Sequence, residues 1–299
     1  MTQELLPLPS AEEQEWRAGA IRLGTSPHRR PSHVLRNSAA AVILVVAAFF
    51  VVDFAARPAL DWPTVWQYMF ATSVMEGIRN TLLLTVLAMA LAIVVAVALA
   101  NMRLSANPVL RTVSAVYVWF FRSIPLLVLL ILWFNIAIIY PRLSLGIPFG
   151  PEWWAVDTRY VVNGFWAAVL AFGLQQAAYT SEIIRASLLA IPVGQREAAA
   201  ALGMTRPRIF FRIVFPQAMR IAVPPISNDT INLLKATSLA AFIAVPDLLY
   251  TVQTIYNRTY QIVPLLLVAT IWYAVFVSIL SYGQFHLERA LRRDRRRRR

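Results

Sequence analysis

Two sets of polar side chains recur at helical spacing in otherwise apolar surroundings. Gln175, Tyr179 and Glu182 are separated by steps of four and three, and Asn228, Asn232, Lys235 and Ser238 by steps of four, three and three. Such steps put side chains on one face of a helix. Amides, hydroxyls, a carboxylate and an ammonium group on such faces can hold or pass along a polar, charged solute through hydrogen bonds and ion pairs. They can also satisfy one another between helices, Glu182 with Lys235 for example. Cysteine is absent, and the three histidines, His28, His33 and His286, sit near the ends, so neither a catalytic thiol nor a metal cluster is expected. Lys235 is the single lysine among 28 basic residues. It has neither the preceding glycines nor the following hydroxyl of a phosphate-cradling loop, so this chain cannot work ATP by that route. If ATP drives it, a separate subunit must supply the engine.

Those faces require helices, and the composition supplies them. Of 299 residues, 59% are hydrophobic and 14% charged, against roughly 45–50% and 25% in soluble domains. That excludes a soluble enzyme and a disordered chain, and leaves an integral membrane protein. A crossing helix takes about 20 apolar residues. Six spans are expected: 39–56, with Asp53 near its end; 81–100, uncharged throughout; 113–140, interrupted by Arg122 and Pro125; 161–183, ending in polar groups; 219–244, carrying Pro224, Pro225, Asp229 and Lys235; and 262–284. The adjacent prolines predict that the fifth helix starts or breaks there. One polar face falls on the fourth span and the other on the fifth, which together favour a hydrophilic path over a purely structural pairing.

With the N-terminus inside, segments 1–38, 101–112, 185–220 and 287–299 hold 21 basic residues and the opposite side holds 4. The positive-inside rule then puts both termini in the cytoplasm. Residues 1–38 mix glutamates, prolines and arginines ahead of the apolar run and read as a cytoplasmic tail, not a cleaved signal peptide. The Arg-rich tail at 291–299 abuts a membrane helix, which suits a topology anchor or contact with acidic membrane lipid and argues against nucleic acid. Trp153 and Trp154 fall in an external loop, where they suit the membrane interface.

The connection 185–220 spans about 36 residues, far beyond the roughly 2–8 usual between packed helices. Gln195 to Leu202 is rich in helix formers. Gly203 then supplies a turn, and a second amphipathic stretch runs to Pro216. A helix, a glycine and a second helix on the cytoplasmic side make a docking element.

Here the chain resembles a known family. Glu197, Ala198 and Ala199, then Gly203, then Ile213, Phe215 and Pro216 are similar to the EAA loop of ATP-binding-cassette (ABC) importer permeases. The flanks match too, with Ala178 to Arg185 before the loop, Pro216, Gln217 and Ala218 at its end, and Lys235 to Leu239 after it. With Gly77 to Leu82 and Phe121 to Leu127, these blocks resemble the polar amino-acid uptake branch of type I importers over residues 74–290. Departures are Ala236 where the branch usually has an acidic residue, Ala186 and Ser187 where it has glycines, and Arg122, Ser123, Ile124 and Pro125 where Arg-Gly-Thr-Pro is commoner. The branch core commonly has five spans, so 39–56 resembles an added N-terminal helix.

The resemblance implies an all-α membrane protein with a type I importer core plus one helix, in a bacterial cytoplasmic (inner) membrane. It implies no catalytic residues and no cofactor on this chain, ATP and magnesium being held by a partner ATPase that docks on Gln195, Glu197, Ala198, Ala199, Gly203 and Pro216. A second permease subunit, identical or paralogous, would complete a path lined by Gln175, Tyr179, Glu182, Asn228, Asn232, Lys235 and Ser238. An extracytoplasmic solute-binding protein would deliver a polar amino acid. Two rival readings are an ion-gradient-driven secondary transporter using Asp53, Glu182 and Asp229, which would leave the EAA-like loop without a purpose, and a membrane scaffold or assembly factor, for which two polar helix faces would be wasteful.

Overall fold

A computed structural model of the chain describes residues 10–12, 15, 33–147 and 152–296. The expected tail 1–38 lies mostly outside the described residues, and so do residues 297–299 of the Arg-rich end. The chain divides into two units, residues 1–57 and 58–299. The first contains helix α1, His33–Ala55, which starts six residues ahead of the span expected at 39–56. Near its end Arg57 and Asp53 pair at 2.6 Å.

The second unit is a helical bundle. Helix α2 is Trp62–Met69, α3 Thr72–Leu104, α4 Pro108–Ser123 and α5 Leu126–Phe134. Strands β1, Arg142–Gly146, and β2, Glu152–Asp157, pair antiparallel as a hairpin. Then come α6, Gly164–Leu189; α7, Val193–Ala201; α8, Phe215–Ala236; α9, Leu248–Thr259; and α10, Ile262–Arg296. Thr72–Leu104, Arg206–Ile243 and Ile262–Leu291 are long and apolar enough to cross a membrane, and the α4–α5 pair adds a broken candidate. Of the six expected spans, 81–100, 219–244 and 262–284 fall in these three helices and 113–140 in the bent pair; 39–56 falls in α1 and 161–183 in α6, neither of which meets both conditions by itself.

The centre is the pair α3 and α6, the most extensively packed helices in the bundle. Leu84, Ala88, Met89, Ala92 and Ala96 of α3 meet Ala168, Val169, Ala171, Phe172 and Ala177 of α6. Small residues let the backbones come close. A Cβ at Gly173 would lie 2.8 Å from Leu91 Cδ2 and 3.0 Å from the Ala88 carbonyl oxygen. A second core joins α2, α3, α9 and α10 through Val65, Val74, Leu248 and Leu265.

The interruption expected in the span at 113–140 is a sharp bend, since α4 and α5 meet at 101° across Ile124 and Pro125. Proline disfavours helical backbone in the residue before it, and Ile124 is extended. The fifth helix, in contrast, neither starts nor breaks at Pro224 and Pro225; α8 runs through both. Each proline removes a helix hydrogen bond and crowds the carbonyl four residues before it, but its fixed φ is compatible with helix. Unwinding in apolar surroundings would strand more backbone groups than the two prolines free. Finally, the amphipathic stretch after Gly203 does not end at Pro216. From Arg206 the chain passes through a π turn at Phe210–Val214 straight into α8. The Phe215 N–H bonds back to the Phe210 carbonyl, and the next residue, Pro216, has no N–H to place, so the wider turn absorbs the change of register.

The hairpin, α2 and α9 were not foreseen from hydropathy, and α10 continues as helix into the Arg-rich tail expected to be separate.

Candidate functional site: a polar helix face and a cytoplasmic turn

Lys235, at the end of α8, shares an exposed face with Asn228 and Asn232, while the neighbouring Leu233 is 4% exposed. Within the described residues the Lys235 ammonium makes neither a hydrogen bond nor an ion pair. The pairing of Glu182 with Lys235 does not occur. Glu182 instead accepts from Arg185 Nε at 2.9 Å and Nη2 at 2.7 Å, one turn along α6. Tyr179 is 39% exposed, and the Arg122 guanidinium lies 5.1 Å from its ring centroid, a cation–π distance.

Ser238 and its neighbour Thr237 close the helix end. Ser238 Oγ donates to the Lys235 carbonyl at 2.8 Å and Thr237 Oγ1 to the Leu234 carbonyl at 2.7 Å, satisfying carbonyls that a helix C-terminus leaves open. Gln175 stands apart from the other members of its stripe. It is buried, and its amide donates to the carbonyls of Phe121 at 3.2 Å and Ile124 at 2.8 Å. Those carbonyls end α4 where Pro125 stops it, so Gln175 pins the break.

Two residues here escaped the spacing argument. Gln176 of α6 donates to Asp229 Oδ2 of α8 at 3.0 Å and to Thr180 Oγ1 at 3.2 Å, bridging the two helices that carry the polar faces. Asp229 was visible only as a carboxylate within a span, and nothing local announced its partner 53 residues away.

A further clamp sits where α3 meets α9. Asn80 Nδ2 donates to the Pro246 carbonyl at 2.8 Å, and the Leu248 N–H donates to Thr81 Oγ1 at 3.0 Å. Gly77 allows the approach, because a Cβ there would be 3.0 Å from the Asp247 carbonyl oxygen. Asp247 is fully buried and caps α9 by accepting from the Tyr250 N–H at 2.8 Å. It lies in the connection between α8 and α10, and burial pushes its carboxyl up to about 6.

The turn after α7 is built by its glycine. Gly203 has φ +75°; its N–H bonds the Ala200 carbonyl at 2.9 Å, and the Met204 N–H bonds the Ala199 carbonyl at 3.1 Å. This pair of bonds is a Schellman cap, which needs a left-handed residue at that position. Met204 packs against the cluster of Leu188, Ile191, Ala199, Ile209, Val214 and Ala218 beneath the turn. Gln195 accepts from Gln217 Nε2 at 2.7 Å, tying α7 to α8. Glu197 and Ala198 are exposed, Ala199 is buried, and Pro216 is exposed in the first turn of α8. The arrangement is a short helix with an outward carboxylate, locked by a cap to a rod that continues into the membrane.

Comparison with known proteins bears on the chain as a whole. A family model described as "Binding-protein-dependent transport system inner membrane component" matches residues 92–293. The arginine transport system permease protein ArgU of Corynebacterium glutamicum is 38% identical over 271 residues, covering 88% of this chain and 81% of the relative. The L-cystine transport system permease protein TcyB of Bacillus subtilis is 37% identical, covering 79% of this chain and 93% of the relative. Among solved structures, an amino acid ABC transporter crystallised with histidines has a TM-score of 0.63 at 28% identity, over 74% of this chain and 95% of that one.

Proposed function

This chain belongs to the family of binding-protein-dependent transport system inner membrane components, and we propose how its two polar features divide the work of import. It is a permease subunit of an amino-acid ABC importer, with a transport and not a catalytic role. The ion-gradient alternative is not favoured.

Two copies, or this chain and a paralogue, face one another across the exposed stripe of Asn228, Asn232 and Lys235, with Tyr179 and Glu182 contributing from α6. Amides and an ammonium group there meet the carboxylate of an amino acid. Lys235 is available for this, since it has no intramolecular partner among the described residues. A solute-binding protein delivers the substrate from outside, and both termini lie in the cytoplasm, as the arginine distribution requires. A partner ATPase, carrying ATP and magnesium, docks at α7, where the exposed Glu197 accepts charge-assisted hydrogen bonds.

The observation that carries this reading is the continuity of Arg206–Ile243. A push on α7 is transmitted through the Gly203 cap to a rod that includes Asn228, Asn232 and Lys235, so docking site and path move as one body. The test is ATP hydrolysis by the reconstituted complex. Stimulation by substrate-loaded binding protein is expected, and Glu197→Ala should weaken ATPase docking about tenfold or more. Uptake driven by a proton or sodium gradient without ATP would overturn the reading.

A further inference from the structure

Under the coupling turn lies a cavity of about 310 Å³ that the import reading leaves unused. It is lined by Asn101 and Leu104, in the last turn of α3, by Leu188, at the end of α6, and by Arg196 of α7, Arg206 and Phe210. Its walls are mostly apolar, yet two guanidinium groups and an amide line it. The Arg196 Nη2 donates to the Leu188 carbonyl at 2.8 Å, whereas its Nε is buried and has no hydrogen-bond partner among the described residues. The Arg206 guanidinium, in contrast, is exposed and makes no hydrogen bond or ion pair among the described residues, so it is available to an acceptor that the chain itself does not provide.

The surroundings narrow the acceptor's chemistry. Arg103, Arg111, Arg208 and Arg212 add to Arg196 and Arg206, while Glu197 is the only acidic residue in segments 101–112 and 193–214. The acceptor is therefore an anion. The cavity lies at the C-terminal ends of α3 and α6, beside the arginine-rich segments that follow their apolar runs, and a phosphate attached to a glycerol and acyl chains would use the guanidinium groups and the apolar walls together. A bare anion would use only the former.

We propose that this cavity binds the phosphate of an anionic phospholipid of the adjoining leaflet, with Arg196 and Arg206 as its donors and Leu104, Leu188 and Phe210 against the glycerol and first methylenes. The bound lipid braces the first coupling helix against the ends of α3 and α6. The assignment of that leaflet as cytoplasmic rests on the importer reading; the binding itself does not.

The experiment is native mass spectrometry of the purified full-length chain in detergent, titrated with phosphatidylglycerol, phosphatidylcholine or inorganic phosphate. One tight phosphatidylglycerol per chain is expected, with phosphatidylcholine weaker. Arg206→Gln, at an exposed position that should fold normally, is expected to weaken phosphatidylglycerol binding about tenfold, the loss of one charge-assisted contact. Arg196→Gln should weaken it too, and Arg196→Lys should not restore it fully, since lysine keeps the charge without the planar fork of donors. Equal phosphatidylglycerol affinity in wild type and Arg206→Gln would overturn the proposal. So would displacement of the lipid by millimolar inorganic phosphate, which would make the cavity a free-anion site. Unchanged lipid binding with lost ATPase co-purification in Arg206→Gln would instead assign the cavity to an acidic segment of the partner. Because no ATP, binding protein or transport enters the measurement, its failure would leave the importer reading intact.

Discussion

Gly203→Val tests whether the coupling turn is held by backbone conformation or merely by packing. Gly203 sits at φ +75°, and a Cβ added there would find nothing within 4 Å. Steric room is therefore not at issue, and the whole cost is that of a side-chain-bearing residue in the left-handed region, about 1–2 kcal/mol, with a β-branched residue at the upper end. That depopulates the Schellman turn by about 5- to 30-fold relative to competing geometries. Gly194, within α7 itself, supplies the control. It too has open space around a Cβ, but its φ is not positive, so Gly194→Ala should be harmless or add up to about 1 kcal/mol of helix stability. Gly203→Asn should fall between, because asparagine tolerates left-handed backbone better than valine. The assay is ATP hydrolysis stimulated by loaded binding protein in proteoliposomes, normalised to inserted permease. Coupled activity should fall in the order glycine, asparagine, valine at position 203, with insertion unchanged. Equal activity in all three, or damage from Gly194→Ala as severe as from Gly203→Val, would refute the reasoning.

Three further outcomes follow from the geometry. Cysteines replacing Asn228 and Asn232 should react with small hydrophilic thiol reagents while one replacing the buried Leu233 should not; equal labelling at all three positions would remove α8 from the path. Gln175→Leu should leave the Phe121 and Ile124 carbonyls short of a donor, lowering stability by about 1–3 kcal/mol, read as a lower melting temperature of the purified protein; an unchanged melting temperature would show that the break needs no pin. Asp247 carries a carboxyl pushed from the usual 3.8 up to about 6 by burial, so the folded state binds its proton more tightly than the unfolded chain does. Stability should therefore rise as pH falls from about 7 toward 4, by roughly 3 kcal/mol at about 1.4 kcal/mol for each tenfold tighter hold on the proton. Asp247→Asn, which keeps an acceptor for the Tyr250 N–H, should flatten that dependence, and identical pH profiles for the two proteins would contradict it.

The sequence alone determined whatever depends on short stretches of chain. Apolar runs of bilayer length marked the spans, because the cost of burying backbone and charge in hydrocarbon is settled within about 20 residues. Gly203 was legible because a left-handed cap is a property of one residue and the helix before it. The EAA-like blocks pointed to the permease family through local patterns, and the family model bears that out. Helical spacing put Asn228, Asn232 and Lys235 on one face, and the structure finds them exposed together.

Only the tertiary structure decided which partners those residues take. Glu182 chose Arg185 over Lys235, Gln175 turned to the carbonyls of a helix broken more than 50 residues upstream, and Gln176 met Asp229 across two helices. Asn80 and Thr81 reach Pro246 and Leu248 across more than 160 residues. Local rules also misjudged the prolines, giving a break where Pro224 and Pro225 lie in continuous helix. The physical reason is the same throughout. A polar group in an apolar interior must be satisfied by whatever the packing brings within about 3 Å, and a helix in hydrocarbon is kept or broken by what the alternative would leave unbonded. Both quantities are set by neighbours distant in sequence, which spacing along one helix does not encode.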